Sequence, residues 1–231
     1  MKGKTVLSVH TENDLLHLSG IRLREDEVHL WLVKWEEVAH FIKTGISFLP
    51  DGEKAGIRRL KFYEDRMRSG AGKLMSRILA SHYLGLGPEE IVIRRDQYGK
   101  PMIKNQAEKM LQHNLSHSGA YVALAFTYRG AVGVDIESAG YFPEYKDIAC
   151  FFQEEERKAI QESEGIGSFY KFWTAKEAYA KALGKGLLLN FREFEVNKNE
   201  IYENGIKNES WEVIPYDEIP GYPSAVVVST D

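Results

Sequence analysis

The sequence predicts an α+β fold. Short strand-like apolar runs and helix-period segments occur in both halves of the chain, and they do not alternate strictly as βαβ units. At 231 residues, 43% hydrophobic and 28% charged, the chain can build an ordinary core, as one large domain or as two of roughly 110 residues.

Taken in order, Thr5 to Arg24 mixes short apolar pieces with charges and shows no clear element. Val28-His29-Leu30-Trp31-Leu32-Val33 alternates as a strand does, and Trp35 to Ile42 reads as a short helix. Pro50-Asp51-Gly52 is a break, after which Glu53 to Met67 has helical spacing and is rich in Lys and Arg. Gly70 and Gly72 interrupt it; Leu74 to Leu84 resumes as a helix, and Gly85-Leu86-Gly87-Pro88 stops it. Ile91-Val92-Ile93 is a strand and Gln97 to Pro101 a turn. Tyr121 to Thr127 and Ala131 to Ile136 read as two strands joined at Arg129-Gly130 in a hairpin. Phe151 to Glu162 and Ser168 to Leu183 are helices, with Gly184 at the left-handed position expected after a helix end. Phe194-Glu195-Val196, Trp211 to Ile214 and Ala225 to Ser229 supply further strands.

Composition narrows the function. A formal net charge of -4 gives no case for a nucleic-acid binder, whose domains are usually strongly basic. Cys150 is the only cysteine, so no intrachain disulfide forms and a cytoplasmic location is the default. Met1-Lys2-Gly3-Lys4 is basic, but the apolar Thr5 to Val9 is too short for a signal segment. No apolar run approaches the roughly 18 residues that span a bilayer, so no membrane partner is expected.

The chemistry concentrates in two motifs. On a helix, Trp173, Glu177 and Lys181 recur at i, i+4 and i+8 and share a face. Gly133-Val134-Asp135-Ile136-Glu137 ends an apolar run with two carboxylates at i and i+2, one face of a strand. Three carboxylates and a lysine suit a divalent cation on a phosphate ester: hard oxygen ligands, plus a cation for the departing charge. Magnesium fits that set; zinc, which favours His and Cys, does not. Ser116 and His117 are neighbours on a strand and point to opposite faces, so they do not form a hydrolase dyad. They serve either as a structural turn or as donors to an anion. Gly99-Lys100-Pro101 is a turn by its chemistry. Arg58, Arg59, Lys61, Arg66 and Arg68 form the strongest basic concentration.

These residues carry a family resemblance. Gly133-Val134-Asp135-Ile136-Glu137 followed by Trp173-x-x-Lys176-Glu177-Ala178-x-x-Lys181 resembles the paired signature of the 4'-phosphopantetheinyl transferases. Tyr98-Gly99-Lys100-Pro101 resembles that family's Gly-Lys-Pro turn, and Asn114-Leu115-Ser116-His117-Ser118 its Asn-x-Ser-His-Ser strand end. The four motifs stand in the family's order, and the match is closest to the long, single-chain, surfactin-synthetase-activating type. Residues 1 to 25 extend beyond what matches.

The resemblance implies two similar α+β halves packed pseudo-symmetrically, 1–110 and 111–231, with coenzyme A in the cleft between them. It implies that Asp135, Glu137 and Glu177 hold magnesium, and that Lys181 neutralises charge on the leaving phosphate. Glu177, directly or through a water on the metal, accepts the proton of the attacking serine. Ser116 and His117 would contact the nucleotide phosphate, Lys100 and Pro101 the adenosine end, and Arg68 the 3'-phosphate. The family also uses lysines one or two turns earlier; here Lys54 stands nearby and Gly56 and Ile57 occupy the place of a second, which leaves that contact open. Phe151-Phe152-x-x-Glu155-Glu156 also resembles a family stretch, its aromatics read as core.

The expected activity is transfer of the phosphopantetheine arm from coenzyme A to a serine of an apo acyl or peptidyl carrier protein, releasing adenosine 3',5'-bisphosphate. The expected enzyme is a cytoplasmic monomer. Two rivals remain: a magnesium-dependent hydrolase of nucleotide pyrophosphates, and a noncatalytic module binding carrier protein or coenzyme A. Lys185-Gly186-Leu187-Leu188-Leu189, after the Glu177 helix, offers either a basic and apolar docking face for the carrier or a buried strand.

Overall fold

A computed structural model describes residues 5–104, 110–163 and 166–230, with the side chain of Leu187 excepted. Met1 to Lys4, read above as a short basic start, and the Leu187 side chain of the docking segment lie outside the described residues.

Two sheets packed face to face form the centre. The first has β1 (Val6–Thr11), β2 (Glu27–Lys34), β5 (Gln112–Ser118) and β6 (Tyr121–Thr127), in the order β1-β2-β6-β5. Between β2 and β5 in sequence come a hairpin of β3 (Val92–Arg95) with β4 (Pro101–Lys104) and the helices α1 (Ala39–Gly45), α2 (Asp51–Arg58) and α3 (Tyr63–Leu84). The second sheet has β7 (Val132–Ile136), β11 (Trp211–Tyr216) and β12 (Ser224–Ser229), in the order β11-β12-β7. Alternation sends Val28, Leu30, Leu32, Ala123 and Ala125 of the first sheet against Val132, Val134, Ile136, Val226 and Val228 of the second. Each sheet's outer face takes one long helix: α3 on the first, α6 (Ile166–Ala182) on the second. The short helices α4 (Tyr145–Ala149) and α5 (Glu154–Glu162) pack on α6, as does a small sheet of β8 (Phe194–Asn197), β9 (Glu200–Glu203) and β10 (Ile206–Lys207).

Strands and helices thus mix as α+β. The sheet order places β5 and β6, from beyond residue 110, beside β2 from before it.

Three local expectations are corrected. Gly70 and Gly72 do not interrupt a helix; both are interior to the continuous α3. A Cβ on Gly70 would come within 2.9 Å of Ile42 Cγ2, so the missing side chain lets α1 sit close against α3. At Gly72 a Cβ would meet Leu115 and Val122 at ordinary contact distances of 3.4 and 3.7 Å, so the close approach is specific to Gly70. Close packing outweighs the roughly 1 kcal/mol helix penalty of a glycine. Second, β6 and β7 are not a hairpin: they belong to different sheets, and Arg129-Gly130 carries the chain from one to the other. The hairpin is β5–β6, with Ser118 opposite Tyr121 and Gly119 at φ +53° in the turn. Third, Thr5 to Arg24 does hold structure: β1 runs parallel to β2, and Leu7 and Val9 pack against the inter-sheet core. The predicted stops at Gly85 and Gly184 are left-handed, at φ +65° and +73°.

Candidate active site

The site forms where edge strand β7 meets α6. Val132, Val134 and Ile136 face the inter-sheet core, so Gly133 and Asp135 face the helix, with Glu137 beyond the strand end. Gly133 sets the approach. A Cβ there would collide with the backbone carbonyl of Ala178 and stand 2.5 Å from the Ala182 nitrogen. Only a glycine lets α6 lie this close, and Glu177 and Lys181 arrive over the strand as a result.

The polar contacts interlock. Asp135, 3% exposed, accepts hydrogen bonds at Oδ1 from Lys181 Nζ (2.6 Å) and Ser116 Oγ (2.8 Å). Lys181 also donates to Ser116 Oγ (2.9 Å) and to the Val134 carbonyl (3.3 Å). Glu137 accepts from Ser118 Oγ (2.9 Å) at one oxygen and from Trp173 Nε1 (3.3 Å) at the other. Trp173 and Lys181, two turns apart on α6, thus reach Glu137 and Asp135 respectively, and Glu177 lies between them in sequence. Burial pushes the Glu177 carboxyl up to about 7, helped by the Asp135 charge and opposed by Lys181. Burial and the same Asp135 charge also raise Glu137. Asp135 Oδ2 and Glu177 Oε1 are buried and have no hydrogen-bond partner among the described residues.

Strand β5 supplies the other wall. Its alternate residues Asn114, Ser116 and Ser118 turn to one face and meet β7 in sequence: Asn114 Oδ1 accepts from the Val134 N–H (3.0 Å), Ser116 reaches Asp135, and Ser118 reaches Glu137. Side chains here replace the backbone ladder that an edge strand lacks. His117 faces the other way and is exposed. Its pKa is lowered by burial and by the positive charges of Arg68, Lys181 and Lys73.

The remaining predicted residues lie to either side. Arg68, on α3, donates to the Gly119 carbonyl (2.8 Å) and to Asp65 (2.5 Å). Lys100, carried by the β3–β4 turn where Gly99 adopts φ +90°, is bound inward: its Nζ donates to the carbonyls of Ala182 (2.9 Å) and Val132 (3.2 Å). Burial lowers its pKa to about 8. Lys100 thereby ties the hairpin to the end of α6 and the start of β7. A cavity of about 180 Å³ beside it is lined by Asp96, Lys100, Pro101, Met102, His113 and Gly184.

Sequence reasoning gave no role to Ser118, Lys73 or Lys176. Ser118 was accessible to it, because residues i and i+2 of a strand share a face with Ser116. Lys176 is fully buried; it pairs with Glu156 (2.9 Å) and donates to the carbonyls of Phe191 and Phe194. It is a brace between α5, α6 and β8.

A long helix thus closes on an edge strand, with three carboxylates and a lysine near the contact. Two family models cover most of the chain: the 4'-phosphopantetheinyl transferase N-terminal model over residues 33–129, and the 4'-phosphopantetheinyl transferase superfamily model over residues 131–219. Among relatives, the 4'-phosphopantetheinyl transferase HetI of Nostoc sp. is 30% identical over 173 residues, 73% of either chain. The 4'-phosphopantetheinyl transferase Sfp of Bacillus subtilis is 30% identical over 189 residues, 78% of this chain and 82% of the relative. The 4'-phosphopantetheinyl transferase gsp of Aneurinibacillus migulanus is 31% identical over 166 residues, 71% of this chain and 66% of the relative. The chain belongs to the 4'-phosphopantetheinyl transferase superfamily and is of the Sfp-like type.

Proposed function

We propose that this protein transfers the 4'-phosphopantetheine arm of coenzyme A to a serine of an apo acyl or peptidyl carrier protein, with Asp135, Glu137 and Glu177 holding a magnesium ion. The observation that carries the reading is the pair of buried carboxylate oxygens, Asp135 Oδ2 and Glu177 Oε1, left without partners between two elements. Buried unpaired acceptors are costly, and the pKa of Glu177 is raised first by burial and then by the Asp135 charge. A hard cation is what three clustered carboxylates fit. Among the described residues no three His, Cys, Asp or Glu side chains stand as a ready-made metal cage, so the ligands would adjust on binding.

The bound ion supplies charge neutralisation at the pyrophosphate. The other contributions come from the chain itself. Lys181, fixed by Asp135, Ser116 and the Val134 carbonyl, holds a positive charge beside the carboxylates for the leaving phosphate. In this reading Glu177, directly or through a water, takes the proton of the attacking serine. Arg68, with His117 and Lys73 near it, offers donors for the 3'-phosphate; an arginine fork suits a phosphate bidentately. The cavity beside Lys100 and Pro101 would seat the adenosine end. We read α3 on its sheet and α6 on its sheet as two similar halves, between which the chain crosses at Arg129-Gly130, with coenzyme A between them. Gly186–Leu188 forms a single 3-10 turn rather than a strand, Leu188 is 77% exposed and Lys185 is exposed, which favours this segment as the carrier's docking face. Among the described residues no helix is long and apolar enough to cross a membrane, and we take the enzyme to act as a cytoplasmic monomer. The test is metal dependence. Transfer should stop on thorough chelation and return with magnesium, and Asp135→Ala should abolish it without loss of a cooperative fold. Turnover that survives chelation would remove the ion from the reading.

A further inference from the structure

We infer that Ser118 is a positioning residue for Glu137: its hydroxyl restrains the Glu137 carboxylate beside β7, from where it would complete the cation's ligands. This inference rests on the metal reading proposed above. The Ser118 Oγ has two partners. It donates to Glu137 Oε2 (2.9 Å) and accepts from the Ser138 N–H (3.0 Å). The second bond points the hydroxyl's hydrogen at the carboxylate, because a hydroxyl has one donor and the backbone N–H occupies an acceptor side. Glu137 itself lies past the end of β7, where the side chain has no strand neighbours to restrain it; its backbone N–H donates to the Pro223 carbonyl (3.1 Å). Among the described residues the side chain accepts hydrogen bonds from Ser118 on one oxygen and Trp173 on the other.

The contrast with its neighbours is informative. Asp135 and Glu177 each keep one buried oxygen free of hydrogen bonds, whereas Glu137 has a donor on each oxygen. Asp135 is fixed by its strand, and Glu177 by its helix. Glu137 needs an external clamp, and Ser118 provides one from the facing edge strand. The clamp is itself anchored: Ser118 ends β5, and the next residue, Gly119, accepts hydrogen bonds at its carbonyl from Arg68 (2.8 Å) and Trp35 (3.3 Å). Hydrogen bonds that orient a metal-ligating carboxylate are typically worth 10–100-fold in metal affinity.

The test is a double-mutant cycle in the full chain, read by Mn2+ binding in the absence of any substrate. Ser118→Ala should weaken Mn2+ binding about tenfold. In a Glu137→Gln background, which removes the group that Ser118 orients, the same substitution should change Mn2+ affinity little. A merely structural role would lower the melting temperature and shift affinity equally in both backgrounds. If Ser118→Ala does not fold, Trp173→Phe, which removes the other donor to Glu137, runs the same cycle. Unchanged Mn2+ affinity in Ser118→Ala, or equal shifts in the two backgrounds, would overturn the inference while leaving the transferase reading in place. A wild-type chain that takes up no Mn2+ would overturn both this inference and the metal reading.

Discussion

Lys181 Nζ lies 2.6 Å from Asp135 Oδ1, an ion pair that binds the last turn of α6 to the edge strand β7. Asp135 is 4% exposed at its side chain and Lys181 24%, so the carboxylate relies on this partner. Removing one member of a buried pair leaves the other uncompensated, typically at a cost of about 3–5 kcal/mol. We expect Lys181→Met to lower stability by about 3 kcal/mol in urea titration, somewhat less than the full range because Ser116 still donates to Asp135. Transfer should fall with it, chiefly in kcat. Unaltered stability would mean that the ion pair contributes nothing to holding α6.

Glu177 makes the site pH-sensitive in a defined direction. Its folded pKa is about 7, raised by burial and by Asp135 from an ordinary 4.5. A raised carboxyl pKa means that the folded state binds the proton more tightly, so the contribution to stability is fully present below 4.5 and is lost as pH rises through 7. Glu177→Gln, which mimics the protonated form, should therefore raise the melting temperature at pH 8, and that gain should shrink toward pH 5. Scanning calorimetry of both proteins across this range measures it. A gain that grows as pH falls would contradict the assignment.

Gly133 should tolerate no side chain. Its Cβ would meet backbone atoms of Ala178 and Ala182, which cannot move without shifting α6. Overpacking of this kind costs about 1–3 kcal/mol. Gly133→Ala should lower stability by at least that amount and should depress transfer further than the stability loss explains, because Glu177 and Lys181 ride on the displaced helix. A variant with normal kcat would show that the close approach is not needed for activity.

What was legible in the sequence divides along physical lines. The Asp135, Glu137, Glu177 and Lys181 constellation was readable because strand and helix periods place those residues on defined faces, and the helix stops were readable because Gly85 and Gly184 adopt conformations that glycine favours. The β6–β7 hairpin was misread because Arg129-Gly130 has local turn chemistry, while sheet membership depends on long-range pairing that local chemistry does not encode. Gly70 and Gly72 were read as breaks because intrinsic propensity disfavours them in a helix; the value of Gly70 appears only once Ile42 is in contact. The inward course of Lys100, to the carbonyls of Val132 and Ala182, follows from burial that no local pattern records.

Coenzyme A should bind better than its 3'-dephospho analogue, since charge-assisted bonds to a phosphate contribute about 1.5–3 kcal/mol each. Arg68→Ala should erase most of the preference in titration calorimetry. Equal affinity of the wild type for the two ligands would place the 3'-phosphate away from Arg68.

The carrier should dock through Lys185 and Leu188. Raising salt screens exposed charges, so apparent carrier affinity should fall across a salt series while coenzyme A affinity changes less. Lys185→Glu and Leu188→Asp should each weaken transfer at low carrier concentration. If salt and both substitutions leave carrier affinity unchanged, the docking face is elsewhere.

The most direct measurement is intact-protein mass spectrometry of several apo carrier proteins after incubation with the enzyme, coenzyme A and magnesium. At least one carrier should gain the mass of a single phosphopantetheine arm, the gain should map to one serine, and Asp135→Ala enzyme should produce none. Coenzyme A cleaved with every carrier left unmodified would contradict the transferase reading and would favour a pyrophosphate hydrolase.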